Sequence, residues 1–335
     1  MADRLLKVLF WETTAACNLA CRHCRRGESR SAPAPGELST AEAVDLMRGV
    51  ASWARPLLVL SGGEPLMRGD IVEIASGASG LGLPVAVATN GTLADAPTAA
   101  ALARAGVRRV GVSLDGASAG THDRVRGVAG SFEGAVRGLR LFRDAGIRTQ
   151  VNMTVCRGNA GEVEGVFRLA CREGAAAVHL FVLVPVGCGL AIAGEEALSG
   201  AEERALFDWF HARAGSFGPE ARLTCAPHYV RFASGRGPSP RTAASGCLCG
   251  RSVCFVSHLG ETYPCGYLPV SAGNVRREGL RPIWDDSPLF RRLREPGRLG
   301  PPCGACGFRE ACGGCRARAY AETGDIFGGD RSCVP

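Results

Sequence analysis

Six short apolar segments separated by helix-like stretches constrain this chain most, because strands that recur with a helix between them pair in parallel. The segments are Leu5 to Trp11, Leu57 to Leu60, Pro84 to Ala88, Arg109 to Leu114, Arg148 to Val155 and Val178 to Val184. Ser39 followed by Glu42 reads as a capping box opening a helix over 39–52, and Phe132 to Ala145 reads as a helix ended by Gly146. Six βα units predict a parallel sheet. Beyond them, Glu195 to Ala214 reads as a helix and Ser234 to Ser245 as a loop or linker. There is no internal repeat and no long low-complexity tract.

Directly after the first segment stand Cys17, Cys21 and Cys24, in the run CNLACRHC. A loop at the C-terminal end of a strand is where active sites assemble in parallel α/β barrels. Three thiolates at this spacing can hold three irons of a [4Fe–4S] cube and leave the fourth open to a ligand. A zinc site with His23 as fourth ligand is the alternative at this point. The second segment ends in Ser61-Gly62-Gly63-Glu64-Pro65, whose glycines let a ligand approach the backbone and whose carboxylate can accept from an ammonium group. Alone this is an ordinary turn; one βα unit after the three cysteines it weighs against zinc.

On these residues the first 190 or so positions resemble the radical S-adenosylmethionine (SAM) superfamily. The resemblance implies that Cys17, Cys21 and Cys24 hold a cluster whose open iron chelates SAM. It also implies that SAM is cleaved to a 5′-deoxyadenosyl radical that abstracts hydrogen from substrate. Thr89-Asn90-Gly91 and Ser113-Leu114-Asp115-Gly116 follow the third and fourth segments, and Asn152 lies in the fifth. By resemblance Gly62, Gly63 and Glu64 meet the SAM amino group, Ser113 and Asn152 its ribose or carboxylate, and Asn90 is a further candidate. Each of the last three also has a structural reading as a turn former or helix cap.

Residues 246–335 carry nine of the sixteen cysteines, many glycines and little long periodicity, as expected of a segment organised by metal sites. Cys247, Cys254 and Cys265 are followed by Cys303, Cys306, Cys312, Cys315 and Cys333, an order similar to the SPASM domain that follows many radical SAM cores. That resemblance implies two fully ligated [4Fe–4S] clusters: an inner one on Cys247, Cys254, Cys265 and Cys315, and an outer one on Cys303, Cys306, Cys312 and Cys333. Cys312-Gly-Gly-Cys315 is one residue shorter than the common pattern, and Cys249 is in excess and able to replace Cys247. A pair of structural zinc sites is the alternative. Cys156, Cys171, Cys188 and Cys225 read as buried small apolar residues.

The stretches Tyr263 to Arg276, Cys312 to Asp325 and Ala226-Pro-His228-Tyr229 are similar to the haem-biosynthesis branch of radical SAM/SPASM enzymes. Members of that branch act on tetrapyrrole side chains, for example by oxidative decarboxylation of iron-coproporphyrin propionates. His228 is a candidate substrate contact or proton relay, with a structural role as the alternative. Peptide maturases share much of the C-terminal pattern. The core begins almost at residue 5, so an N-terminal leader-peptide recognition domain is not expected. Residues 241–335 hold 13 arginines against 9 acidic residues, a surplus that suits a polycarboxylate and that solvated arginines explain equally well.

Composition limits the remaining classes. The formal charge of +7 comes from 39 basic residues of which one, Lys7, is lysine, and three clusters would bring it to roughly +2. No nucleic-acid footprint follows. No apolar run approaches a membrane span, and the first residues lack a signal peptide's apolar stretch, so a cytoplasmic protein is expected. In that compartment sixteen cysteines point to metal or cluster ligation rather than disulfides. The expectation is a partial (β/α)6 TIM-type barrel over 1–190, a bridging helix and linker over 191–245, and a SPASM domain over 246–335. Its cofactors would be SAM and three [4Fe–4S] clusters, and its partners a tetrapyrrole or peptide substrate and an electron donor such as flavodoxin or ferredoxin. A non-catalytic iron–sulfur electron carrier is the alternative of another class, disfavoured because all three core cysteines and Glu64 are present.

Overall fold

The computed structural model describes residues 5–27, 31–237, 242–330 and 332–333. The alternating apolar segments form parallel strands: Val8–Glu12 (β1), Leu57–Ser61 (β2), Val85–Thr89 (β3), Val107–Ser113 (β4), Arg148–Val155 (β5) and Ala177–Val182 (β6). The helices Thr40–Ala51 (α1), Ile71–Gly80 (α2), Ala96–Arg104 (α3), Ala119–Arg126 (α4), Ser131–Asp144 (α5) and Val163–Arg172 (α6) connect them. Ser39 and Glu42 form the expected capping box at the start of α1. Every second residue of these strands, including Leu9, Trp11, Leu58, Leu60, Val85, Val87, Val110, Val112, Val151, Met153, Val178 and Leu180, is buried in the core. Each such side chain contributes about 1.5–3 kcal/mol relative to exposure, which fixes the face that turns outward against the helices. The opposite face is mixed, with Phe10 and Val59 on β1 and β2 and with Ser113, Gln150, Asn152 and His179 on β4 to β6.

The sheet runs on past the six expected strands. Glu220–Thr224 (β7) pairs parallel with β6, and Thr242–Ala244 (β8) with β7. The expected 234–245 loop therefore ends in an edge strand, while its residues 238–241 lie outside the described residues. Backbone pairing at a sheet edge requires no apolar periodicity, so the local pattern did not announce β8. On the other side Val253–Val256 (β9) pairs parallel with β1, and Glu261–Tyr263 (β10) and Gly273–Asn274 (β11) follow antiparallel. The strand order is β11-β10-β9-β1-β2-β3-β4-β5-β6-β7-β8, so the cysteine-rich segment is hydrogen-bonded directly onto the first strand of the core.

The helix expected over 195–214 is Gly200–Arg213 (α8), and a separate helix, Cys188–Glu196 (α7), precedes it. Ser199 accepts from the Glu202 amide and Glu202 caps back, which starts a new helix inside the expected one. Among the described residues no helix is long and apolar enough to cross a membrane.

Candidate active site at the strand ends

Cys17, Cys21 and Cys24 are half-buried on the loop that leaves β1. This loop is pinned at several points. Thr13 donates both its N–H and its hydroxyl to Ser61 O, each at 2.8 Å, and Arg22 N donates to Val125 O at 3.1 Å. Glu37 Oε1 accepts from Ala15 N at 2.7 Å and from the Thr14 hydroxyl at 3.1 Å. Leu19 N points at Cys17 Sγ (3.5 Å), and Arg126 Nη1 at Cys21 Sγ (3.6 Å). Burial pushes the Cys17 thiol up to about 11, and the neighbouring charges of Glu64, Cys21 and Cys24 push the same way. Cys21 is likewise raised by burial, opposed by Arg126. Three thiols that repel one another as anions, supplied with N–H donors to sulfur, are a donor set suited to an iron–sulfur cluster, whose charge replaces the protons. Among the described residues no three His, Cys, Asp or Glu side chains close around the volume of a single metal ion. His23 is engaged elsewhere: its Nε2 lies 3.2 Å from Asp115 Oδ2, and burial lowers its pKa to about 4.

The glycines of the second strand end have a structural use. Gly63 N donates to Thr14 O (2.8 Å) and Glu64 N to Ala16 O (2.7 Å), so the strand end lies against the cysteine loop. A Cβ on Gly63 would stand 2.2 Å from Ala16 O and 2.7 Å from Ala15 O. Glu64 is fully buried and accepts from the Thr89 hydroxyl (2.6 Å), Asn90 N (2.7 Å) and Leu66 N (3.0 Å). Burial raises its pKa against those hydrogen bonds. Its carboxylate thus ties the ends of β2 and β3 together beside Cys17. Asn90 Oδ1 accepts from Thr92 N (2.9 Å) and its Nδ2 donates to Asn18 Oδ1 (2.8 Å), the turn-forming arrangement of a Thr-Asn-Gly sequence.

Ser113 and Asn152 are register partners on β4 and β5, both half-buried on the sheet face opposite the helices. Asn152 Nδ2 sits over Gly111, where a Cβ would stand 2.6 Å away. Gln150, His179 and Arg109 continue this polar face downward and sideways, and none of them had been singled out from the sequence. Period-2 alternation of polar residues in β5 and β6 was the available signal.

Asp115, read as part of a turn, is a buried hub. Its Oδ2 lies 2.7 Å from Arg126 Nε, and its Oδ1 accepts from Thr154 N at 2.7 Å. Burial raises its pKa, yet Arg126 and His23 hold it below the ordinary aspartate value. Glu12, the last residue of β1, plays a similar part towards the C-terminal segment: its carboxylate meets Arg25 Nη2 at 2.9 Å and His258 Nδ1 at 2.5 Å.

The C-terminal cysteines fall into two groups. Cys247, Cys249, Cys254, Cys265 and Cys315 influence one another electrostatically, and Cys225 joins them. A hydrogen bond from Cys249, together with Arg316, pulls the Cys247 thiol down, whereas burial pushes Cys249 up. Cys303, Cys312 and Cys333 form the second group, with Cys306 N bonded to Cys303 O at 3.2 Å. Sulfur acceptors recur here too: Asp330 N to Cys303, Phe308 N to Cys306 and Gly314 N to Cys312, all at 3.4 Å.

Of the cysteines expected to be buried and apolar, Cys156 is buried, with its thiol hydrogen-bonded to Glu196. Cys171 is exposed, while Cys188 and Cys225 are half-buried and adjoin Cys24 and the inner group respectively. A cysteine's environment depends on contacts distant in sequence, which local pattern does not report. His228 is buried, with Nε2 3.0 Å from Glu203 Oε2 and its ring 5.0 Å from that of Phe207, and it lines a cavity together with Glu203 and Arg231.

Residues 11–170 match the radical SAM superfamily, and residues 247–307 the SPASM iron–sulfur cluster-binding domain. The AdoMet-dependent heme synthase of Methanosarcina barkeri (strain Fusaro) is 42% identical over 98% of this chain and 96% of its own length. Mycofactocin maturase MftC of Mycobacterium ulcerans is 34% identical over 97% of this chain and 87% of its own. Among solved structures, Streptococcus suis SuiB bound to its precursor peptide SuiA superposes with a TM-score of 0.76 at 16% identity, covering 99% of this chain and 76% of SuiB, a likeness of fold.

Proposed function

Because the chain belongs to the radical SAM superfamily and carries its SPASM iron–sulfur domain, we propose that this radical SAM enzyme oxidatively modifies a tetrapyrrole propionate side chain. The observation that carries this reading is the 42% identity to a heme synthase along almost the whole of both chains.

In this reading Cys17, Cys21 and Cys24 hold the cluster that binds SAM. Gly62, Gly63, Glu64, Asn90, Ser113 and Asn152 border SAM, with the core over 1–190, the bridge over 191–245 and the SPASM domain over 246–335. The inner cysteine group, through Cys247, Cys254, Cys265 and Cys315, and the outer group of Cys303, Cys306, Cys312 and Cys333 hold two further clusters, three in all. When bound, the core cluster and SAM supply a 5′-deoxyadenosyl radical that removes a hydrogen atom from substrate. The protein's own contributions are positional. Glu64 and the glycines fix the cysteine loop against β2, and Asp115 and Arg126 brace it from below. The inner and outer cysteine groups offer a route for an electron leaving the oxidised substrate, and a flavodoxin or ferredoxin would supply the reducing electron.

The test is anaerobic incubation of reconstituted enzyme with SAM, reductant and iron-coproporphyrin, followed by mass spectrometry. Loss of carbon dioxide and two hydrogens per modified propionate, in step with 5′-deoxyadenosine, is expected. Deoxyadenosine with an unchanged tetrapyrrole would sink the substrate and favour the second reading, maturation of a ribosomally made peptide, which the MftC similarity supports. Iron analysis checks the cluster count, with about twelve irons per chain expected.

A further inference from the structure

Asn152 can turn either its carbonyl or its NH2 group toward a ligand, and a chain of hydrogen bonds across three strands decides which. Arg109 Nη1 on β4 donates to Gln150 Oε1 on β5 at 3.2 Å. A guanidinium has donors and no acceptor, so Gln150 must turn its oxygen to Arg109 and its nitrogen away. That nitrogen lies 2.6 Å from Asn152 Oδ1 and 3.0 Å from His179 Nδ1 on β6. Its two hydrogens match these two acceptors, and the imidazole presents a lone pair because burial, with Arg222 and Arg109 nearby, holds His179 neutral. Gln150 itself is buried, so water does not compete for these positions. Asn152 Oδ1 is then occupied and its Nδ2 is left to donate, over the gap that Gly111 provides and beside Ser113.

We propose that Gln150, held by Arg109 and His179, is a positioning residue that makes Asn152 present its amide N–H to an acceptor oxygen of bound SAM. This rests on the reading of Asn152 as a SAM contact. A donor suits the carboxylate or ribose oxygens of SAM and would be lost if the amide turned over.

SAM binding to the anaerobically reconstituted enzyme, measured by equilibrium dialysis, tests it. Gln150→Glu keeps the shape and the acceptor for Arg109, which keeps the new carboxylate ionised, but removes both N–H donors. Asn152 must then turn its NH2 inward. Its Kd for SAM should rise on the order of tenfold or more, as should that of Asn152→Leu, and the double variant should be no weaker than Asn152→Leu alone. Iron content, cluster absorbance and melting temperature should stay at wild-type values in Gln150→Glu, which a merely structural role would not allow. Wild-type affinity in Gln150→Glu with weakened binding in Asn152→Leu overturns the positioning role. Wild-type affinity in Asn152→Leu overturns instead the reading of Asn152 on which it rests. If Gln150→Glu does not fold, Arg109→Met, which frees Gln150 to turn, must weaken SAM binding several-fold for the proposal to stand.

Discussion

Arg126 Nε lies 2.7 Å from Asp115 Oδ2 while its Nη1 reaches Cys21 Sγ at 3.6 Å, so one buried guanidinium joins the end of β4 to the cysteine loop. The aspartate and arginine are both almost inaccessible, and neither charge would be tolerated there without the other.

Removing the aspartate charge should therefore cost more than removing a surface ion pair. Asp115→Asn leaves Arg126 buried and uncompensated and is expected to destabilise the protein by about 3–5 kcal/mol, read as a shift in the denaturant midpoint. Exposed Asp45→Asn, which breaks the pair with Arg48, should change stability by less than about 1 kcal/mol. Equal effects from the two substitutions would contradict the bracing role.

Gly63 makes a sharper steric prediction. In Gly63→Ala the methyl carbon would overlap the backbone of Ala15 and Ala16, which cannot rotate away, so the cysteine loop must move. Reconstituted Gly63→Ala should lose the core cluster's share of iron, about four atoms, and its SAM binding. Gly69→Ala, with nothing within 4 Å of the added carbon, should keep both. Full iron content in Gly63→Ala would show that the close approach is not needed.

Glu12 links the core to the C-terminal segment, and its titration gives this contact a pH signature. Burial raises its pKa, but Arg25, His258 and Arg26 outweigh this and bring it from 4.5 down to about 2. A carboxylate lowered in the folded state stabilises above its unfolded pKa, and the gain is lost as pH falls from about 4.5 toward 2. The stability gap between wild type and Glu12→Gln should be on the order of 3 kcal/mol above pH 5 and should narrow below pH 4.5 in urea titrations. A gap that stays constant from pH 6 to 3 would contradict the assignment.

What the sequence disclosed follows the range of the interactions involved. The strands β1 to β6 and the capping box of α1 are local patterns, and each appears within a residue or a few of its expected place. The Ser199–Glu202 box that divides α7 from α8 is equally local and was available in the residues. The cysteine spacing and the Gly-Gly-Glu run marked the candidate site because they are local too. By contrast, Val253–Val256 joins β1 from more than two hundred residues away, and nothing in a four-residue apolar run names its partner. Asp115, Arg126, Glu12 and His258 are ordinary charged residues in sequence, and their weight comes from burial against distant partners. Gln150 stands out only once the register sets it between Arg109, Asn152 and His179.

On the proposed function, radical chemistry at the cysteine loop is directed at a propionate side chain. The most direct measurement uses iron-coproporphyrin deuterated in its propionate arms, with the 5′-deoxyadenosine formed anaerobically analysed by mass spectrometry. Deoxyadenosine should gain deuterium as the tetrapyrrole loses carbon dioxide. Deoxyadenosine that forms at the same rate without deuterium, beside an unaltered tetrapyrrole, would contradict it.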